Sequence, residues 1–346
     1  MLIHRVTLPY LMLTVGSILG ACRDPVDPNS GALGPVSYVE AASALGKWTS
    51  KAPLPAPGYG ISGGVVTNGA GHTIFYVIGG IAVGRDPRRV DAYNPVTNSW
   101  THRAPLPEGR MGTNGTGTIN GKLYLAGGLN PPCEHCTQTY RRTLYVYDPA
   151  ANSWSRKARM PFASAEGVTG VIGGKLYVFT GNGHRLYRYT PASNTWTRLA
   201  DCPAGHEGGA GGVIDNKLYV VGGHGIQGGL SRRLHVYNPA TNTWASRAGL
   251  PTARSAMTAA VFKSKLYVIG GFELHDGNSV DVGTVNTYDP ATNTWSTKAS
   301  MGTPRHSLAA GTVKTAAGQL RIHAVGGYSY LTSGVNGLTT NEMYTP

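Results

Sequence analysis

Apolar and polar positions along this chain alternate in short bursts, and no stretch holds a helical period. A run such as "SAMTAAVF" (255–262) is built mostly of small residues, and "KLYVIGG" (265–271) stays apolar until it stops at paired glycines. The first reads as a strand that can crowd against its own copies around an axis, the second as a strand buried on both faces. Two-residue connections at this point of the pattern, Asn120-Gly121, Gly173-Gly174 and Asp215-Asn216, suit tight hairpins that need positive φ. A third strand ends at a tyrosine, a "DPATN" segment turns, and a strand carrying tryptophan follows, as in "YDPATNTW" (288–295). Proline holds φ in that turn while Asp or Asn bonds nearby backbone. The pattern therefore predicts four short antiparallel strands per unit.

The unit recurs. Near-copies of the tyrosine-to-tryptophan phrase stand at 93–100, 147–154, 189–196 and 237–244, and a sixth starts at Tyr344 but stops after "YTP". Tryptophans at 48, 100, 154, 196, 244 and 295 lie 42 to 54 residues apart. Paired glycines end the second strand at 79–80, 127–128, 222–223, 270–271 and 326–327, with Thr180-Gly181 as the departure. A period of about fifty residues with four strands per unit is the signature of kelch propellers. Residues 46–346 closely resemble the kelch-repeat family, and the absence of any Trp-Asp dipeptide separates them from the WD type. The resemblance implies an all-β fold, a six-bladed β-propeller of four-stranded antiparallel blades. "LGKWTSKAPLP" (45–55) opens with the tryptophan that the last copy lacks. The N-terminal strand around Trp48 is expected to join the last blade and close the ring.

Composition agrees: 49 glycines, 22 prolines and 14% charged residues favour short strands and turns over helices. The formal net charge of +13 invites a nucleic-acid reading, but the repeat absorbs much of it. Lys51, Arg103, Lys157, Arg247 and Lys298 follow their tryptophans by three residues, on outermost strands where cations discourage edge pairing. Lys122, Lys175, Lys217 and Lys265 recur at the hairpin exits. No clustered basic stripe with aromatics is left over, so no nucleic-acid partner is expected.

The start of the chain carries a different signal. A short positive segment, Met1–Arg5, precedes an apolar run, Val6–Ala21, that ends in "LGAC" (19–22). That order reads as a secretory signal, too short for a comfortable membrane span. "LGAC" resembles a bacterial lipobox, which implies removal of residues 1–21 and acylation of Cys22, a lipid anchor that makes the membrane a partner. Arg23 is not the acidic residue that holds lipoproteins at the inner membrane in many Gram-negative bacteria, which favours the outer membrane. Residues 22–45 then form a flexible tether and residues 46–346 the propeller.

Function is expected on the rim that carries irregular loops, because variable loops on a rigid scaffold are where sites are built. Alignment on the proline before each first strand gives Tyr59, Arg110, Ser164, His206, Arg254 and Arg305, with Glu166, Glu207 and His306 close in sequence. Arginine there serves either to bond neighbouring loops or to hold a ligand. Three arginines with histidines around one mouth favour an anion, so Tyr59, Arg110, His206, Arg254, Arg305 and His306 form the expected ligand-binding set. The expectation is a non-catalytic binding module on the cell envelope, taking an acidic glycan or acidic peptide from an unknown glycan or protein partner. The alternative is a carbohydrate-active enzyme in which Glu166, Glu207 and His206 move protons. The chain is similar to the periplasmic N-acetylneuraminate mutarotases in blade number, export and its mix of acids and arginines.

Cys133 and Cys136 form a C-x-x-C that reads as a small disulfide, as a metal site with His135 and Cys202 or His184, or as free thiols. Cys202 itself reads as a small buried apolar residue. Copper-radical oxidases related to galactose oxidase share the propeller but use seven blades, a crosslinked Tyr–Cys and two histidines. That set cannot be assembled here, and no metal or cofactor is expected.

Overall fold

Tight turns fold the chain into six four-stranded antiparallel sheets, four of which pair their strands in simple succession. The structure, a computed structural model, describes residues 45–132, 137–226, 228–331 and 337–346. The signal segment, most of the tether, Cys22 and the pair Cys133 and Cys136 lie outside the described residues. In the fourth sheet Ala210–Ile214, Lys217–Val221, Leu234–Asn238 and Thr243–Arg247 pair in order. The innermost strands are Ser62–Thr67, Thr116–Ile119, Val168–Ile172, Ala210–Ile214, Thr258–Phe262 and Ala309–Lys314. Each packs against the next, and the last against the first, so the sheets are the blades of a six-bladed β-propeller. Small residues make that approach possible. A Cβ added to Gly117 would sit 2.4 Å from Leu176 Cδ1 of the neighbouring blade.

The last sheet takes its outermost strand from the start of the propeller. Lys47–Ser50 pairs with Asn341–Thr345, placing Trp48 opposite Tyr344. The joint it forms shows why the phrase around each tryptophan repeats. Trp100, Trp154, Trp196, Trp244 and Trp295 donate their indole N–H to the carbonyls of Ala52, Ala104, Ala158, Ala200 and Ala248 in the preceding connection, at 2.7–2.9 Å. Trp48 does the same to Ala299 at 2.8 Å. In five blades one asparagine, such as Asn293, accepts both the buried tyrosine hydroxyl (Tyr288, 2.7 Å) and the backbone N–H of that same alanine (Ala248, 3.0 Å). These asparagines all have positive φ, which asparagine tolerates because its short side chain bonds locally. The sixth copy stops before its asparagine. The Leu45 carbonyl replaces it, accepting from the Tyr344 hydroxyl at 2.6 Å and from Ala299 N–H at 3.0 Å.

Two departures lie on the loop rim. Where Thr180-Gly181 replaces paired glycines, the chain makes a 3₁₀ turn over Gly181–Gly183. In the fifth blade the connection after Gly271 folds into a small hairpin of its own, Phe272–His275 with Asn278–Asp281.

Candidate functional site

The arginines expected at the mouth are locked inside the blades. Arg254 is fully buried and donates to the Gly270 and Thr284 carbonyls, both at 3.2 Å, and to Asn286 Oδ1. Arg305, equally buried, donates to the Thr303 and Ala324 carbonyls at 3.1 Å and to the Glu342 carboxylate. Arg110 donates to Glu108 at 2.8 Å and to Thr143 Oγ1, and its guanidinium lies over the Tyr145 ring. Burial lowers the Arg254 pKa to about 10, so the group stays charged at neutral pH, held by oxygens that would otherwise go unpaired. None of the three lines the axial cavity. The expected anion-binding mouth is therefore corrected: Arg254 and Arg305 tie the end of the second strand to the third, and Arg110 links Glu108 to Thr143 at the start of the third.

Tyr59 needs a shift of register. Gly327 N–H bonds the Gly58 carbonyl just as Gly80 N–H bonds that of Arg110, so Gly58 holds the arginine's place in the first blade. The missing guanidinium comes from the loop: Arg85 donates Nε to the Gly79 carbonyl at 2.9 Å and Nη1 to that of Ala56 at 3.0 Å. In the third blade the place belongs to Ser164, which is buried and donates to Asn114 Oδ1 at 2.9 Å. His206 fills it in the fourth and is fully buried, which removes it from the ligand-binding and proton-transfer sets alike.

Two residues further on, the chain builds a girdle around the axis. Gly60 N–H bonds the Ser307 carbonyl, Ser307 that of Ala256, Ala256 that of Gly208, Gly208 that of Glu166, Glu166 that of Gly112, and Gly112 that of Gly60, all at 2.7–2.9 Å. The six inter-blade bonds close a ring. All six residues have φ between 51° and 69°, a conformation that costs a residue with a Cβ roughly 1–2 kcal/mol. Three members are glycine. Ala256, Ser307 and Glu166 are not, and Glu166 is the only charged one. This girdle and the first residues of the inner strands line a cavity of about 210 Å³ on the axis.

A second tier stands one residue before the girdle: Tyr59, Met111, Ala165, Glu207, Ser255 and His306. In five blades it bridges to the residue that follows the paired glycines, as in Tyr59 with Ile81, Glu207 with His224 and His306 with Tyr328. Here the structure brings together two of the expected residues, Tyr59 and His306. Rings run in sequence from His224 to Phe272 (6.2 Å between centroids), His306 (5.7 Å), Tyr328 (5.3 Å) and Tyr59 (5.3 Å), with Tyr330 beside His306 and Tyr328. Asp281, buried in the extra hairpin, holds His306 Nδ1 at 2.6 Å. His224, Phe272, Asp281, Tyr328 and Tyr330 are absent from the expected set. The signal that finds His224, Phe272 and Tyr328 is positional, since each directly follows a glycine pair.

The other side of the mouth is acidic. Glu166 is open to solvent at the cavity but walled by the ring, and this desolvation, followed by the charge of Glu207, raises its pKa above the ordinary carboxylate value. Glu207 accepts from the Tyr140 hydroxyl at 3.3 Å. Tyr140 reaches it from the second blade, across the short loop of the third. Among the described residues no lysine, arginine or histidine makes an ion pair with Glu166 or Glu207. The arrangement can take a cationic or hydrogen-bond-donating group between the carboxylates and the ring surface.

Comparison with known proteins gives the repeats a family. Residues 116–327 match the KLHDC2/KLHL20/DRC7 Kelch-repeats domain, and residues 67–107 match the Kelch motif. The chain is 34% identical over 87 residues to Kelch-like protein 31 of Danio rerio, covering 25% of this chain and 13% of that protein. It is 32% identical over 124 residues to an F-box/kelch-repeat protein of Arabidopsis thaliana, covering 36% of this chain and 24% of that one. The matched stretches span at most a quarter of these relatives. Among solved structures it is similar to YjhT, with a TM-score of 0.68 and 17% identity over 85% of this chain and 96% of the other, a likeness of fold.

Proposed function

Because the chain belongs to the kelch-repeat family, its repeats account for the scaffold, and we propose that it is a protein-binding module that takes a basic segment of its partner at the loop rim, around Glu166. One observation carries this reading. Of nine large apolar residues exposed among the described ones, seven project from the irregular loops: Val83, Tyr140, Ile226, Leu274, Val280, Tyr330 and Leu331. Apolar side chains concentrated on one rim of a soluble-faced scaffold mark a surface that a macromolecule covers. The axial cavity sets the scale of the rest. At about 210 Å³ it is smaller than the ~300–1,000 Å³ sites that enclose whole ligands, so it admits one side chain while the partner lies across the rim. Glu166 and Glu207, paired with no cation among the described residues, favour lysine or arginine there, in place of the acidic ligand expected from the arginines.

Selection of peptides from a random library on the propeller tests this, repeated with Glu166→Gln. Enrichment of lysine- or arginine-bearing peptides, with at least tenfold weaker binding by the variant, is the expected result. Basic peptides that bind both proteins equally would sink the reading. Delivery to the envelope through a lipid at Cys22 is part of the same proposal. A Cys22→Ser protein is expected to leave the membrane fraction, and its full retention there would remove the anchor.

The raised pKa of Glu166 favours a second reading, a sugar-directed enzyme in which Glu166 and Glu207 exchange protons with a ring hydroxyl. Accelerated anomer interconversion of any sugar, lost in Glu166→Gln, would establish it over the first.

A further inference from the structure

The fourth blade differs from the other five at three places that meet in space. The buried residue two positions after the joint alanine is Leu54, Leu106, Met160, Leu250 and Met301 elsewhere, and Cys202 here. The arginine place holds His206. Its partner on the third strand, Asn286 opposite Arg254 and Glu342 opposite Arg305, is His235. All three changes are to side chains that bind metals. One ligand atom from each of Cys202, His206 and His235 lies within 4.8 Å of the others, and all three residues are buried.

We propose that Cys202, His206 and His235 form a binding site for a soft metal ion, and that the ion is Cu(I).

The hydrogen bonds already orient the site. The Gly222 carbonyl, 2.8 Å from His206 Nδ1, can only accept, so that nitrogen carries the proton and Nε2 presents its lone pair inward. A metal-bound histidine commonly donates its other N–H to a backbone carbonyl, and His206 does so here without the metal. His206 Nε2 faces His235 Nδ1 at 2.8 Å. Two nitrogens bound at about 2.0–2.1 Å to an ion with three ligands stand roughly 3.5 Å apart, so the rings need separate by about 0.7 Å. A neutral His–His bond could by itself replace the arginine lock, but it needs no thiol, and the thiol is the third change.

Charge and coordination number choose the ion. The surroundings are apolar: Phe179, Leu218, Val220 and Tyr237 pack with Cys202. Cu(I) bound by one thiolate and two neutral imidazoles is uncharged, whereas Zn(II) in the same set leaves a buried positive charge. Closed zinc sites also take four ligands, and the described residues supply three. Cu(I) accepts thiolate and imidazole ligands readily. Binding releases one proton, that of the Cys202 thiol. The proton on His235 Nδ1 moves to Nε2 of the same ring, and no electron is transferred.

The test uses the full chain, folded anaerobically with Cu(I) and a thiol reductant and then washed with a Cu(I) chelator. Controls are Cys202→Ser, Cys202→Leu and the double variant His206→Arg with His235→Asn, which copies the lock of the fifth blade. The expected result is one more copper retained per chain by the parent than by any variant, with X-ray absorption showing one sulfur and two nitrogens, and a higher Tm with copper for the parent alone. The remaining cysteines are common to all the proteins and cancel in the difference. Equal copper in parent and folded variants overturns the site. Retention of Zn(II) in competition with Cu(I) overturns the choice of ion.

Discussion

The outer joints and the axial girdle are both six-membered and both tie each blade to the next, but the chain fills them differently. At the joints geometry and chemistry repeat together: tryptophan to an alanine carbonyl, tyrosine to an asparagine, with Leu45 standing in where the sixth copy stops. In the girdle the geometry repeats, six residues at positive φ in one closed ring of hydrogen bonds, while the side chains do not. A place that repeats both is answering to the fold alone. A place that keeps the backbone and changes the side chain against its own conformational preference has another demand on it, and Glu166 is such a place.

The largest expected effect breaks the joint. Trp48→Ala should destabilise the propeller by about 3 kcal/mol, as much as Trp295→Ala, since both tryptophans are half-buried and make the same bond to an alanine carbonyl. Denaturant unfolding measures both. A Trp48 variant as stable as the parent would show that the ring does not need its N-terminal strand.

The next effect develops only in acid and concerns one irregular member of a regular layer. The second strands carry Tyr76, Tyr124, Tyr177, Tyr219 and Tyr267 in five blades and His323 in the sixth, whose ring packs on Tyr93 at 5.0 Å. Burial holds the His323 pKa down at about 4. Its folded value lies below the unfolded value of about 6.5, so the stability it confers is present above pH 6.5 and lost as pH falls from there to about 4. His323→Tyr should remove up to roughly 3 kcal/mol of that acid sensitivity. Melting curves from pH 7 to 4 should diverge in the variant's favour, and parallel curves would contradict this.

Most of the fold was legible because it lies in repeated letters: the Trp48 closure follows from counting tryptophans against phrases. The site was legible only in part. Aligning on proline located Arg110, Arg254 and Arg305, but nothing in one sequence says whether an arginine faces a ligand or a row of strand-end carbonyls. The same alignment slipped by one residue at Tyr59, because the guanidinium serving Gly58 comes from Arg85, 27 positions later in a loop. Glu166 was visible as an acid near the mouth. Its left-handed backbone was not: glycine stands at three of the other five girdle positions, but Ala256 and Ser307 break the pattern that would have marked the ring.

The smallest effect on stability sharpens the comparison. Ser307→Gly and Ala256→Gly should each gain about 0.5 kcal/mol, the relief at positive φ less the added freedom of the unfolded chain. Unfolding midpoints check it, and a loss in both would mean that these side chains hold the girdle together.

Glu166→Gly joins the two halves of the account in one protein. Its backbone strain is relieved, and so is the cost of a carboxylate whose folded pKa is raised, a cost present above that pKa and absent below the unfolded value of about 4.3. The direct measurement is the affinity of a selected arginine-bearing peptide for the parent and for Glu166→Gly at pH 7, with Tm recorded for both. The account predicts a Tm at or above the parent's and an affinity at least tenfold weaker. Unchanged affinity would contradict it, and would return Glu166 to the scaffold.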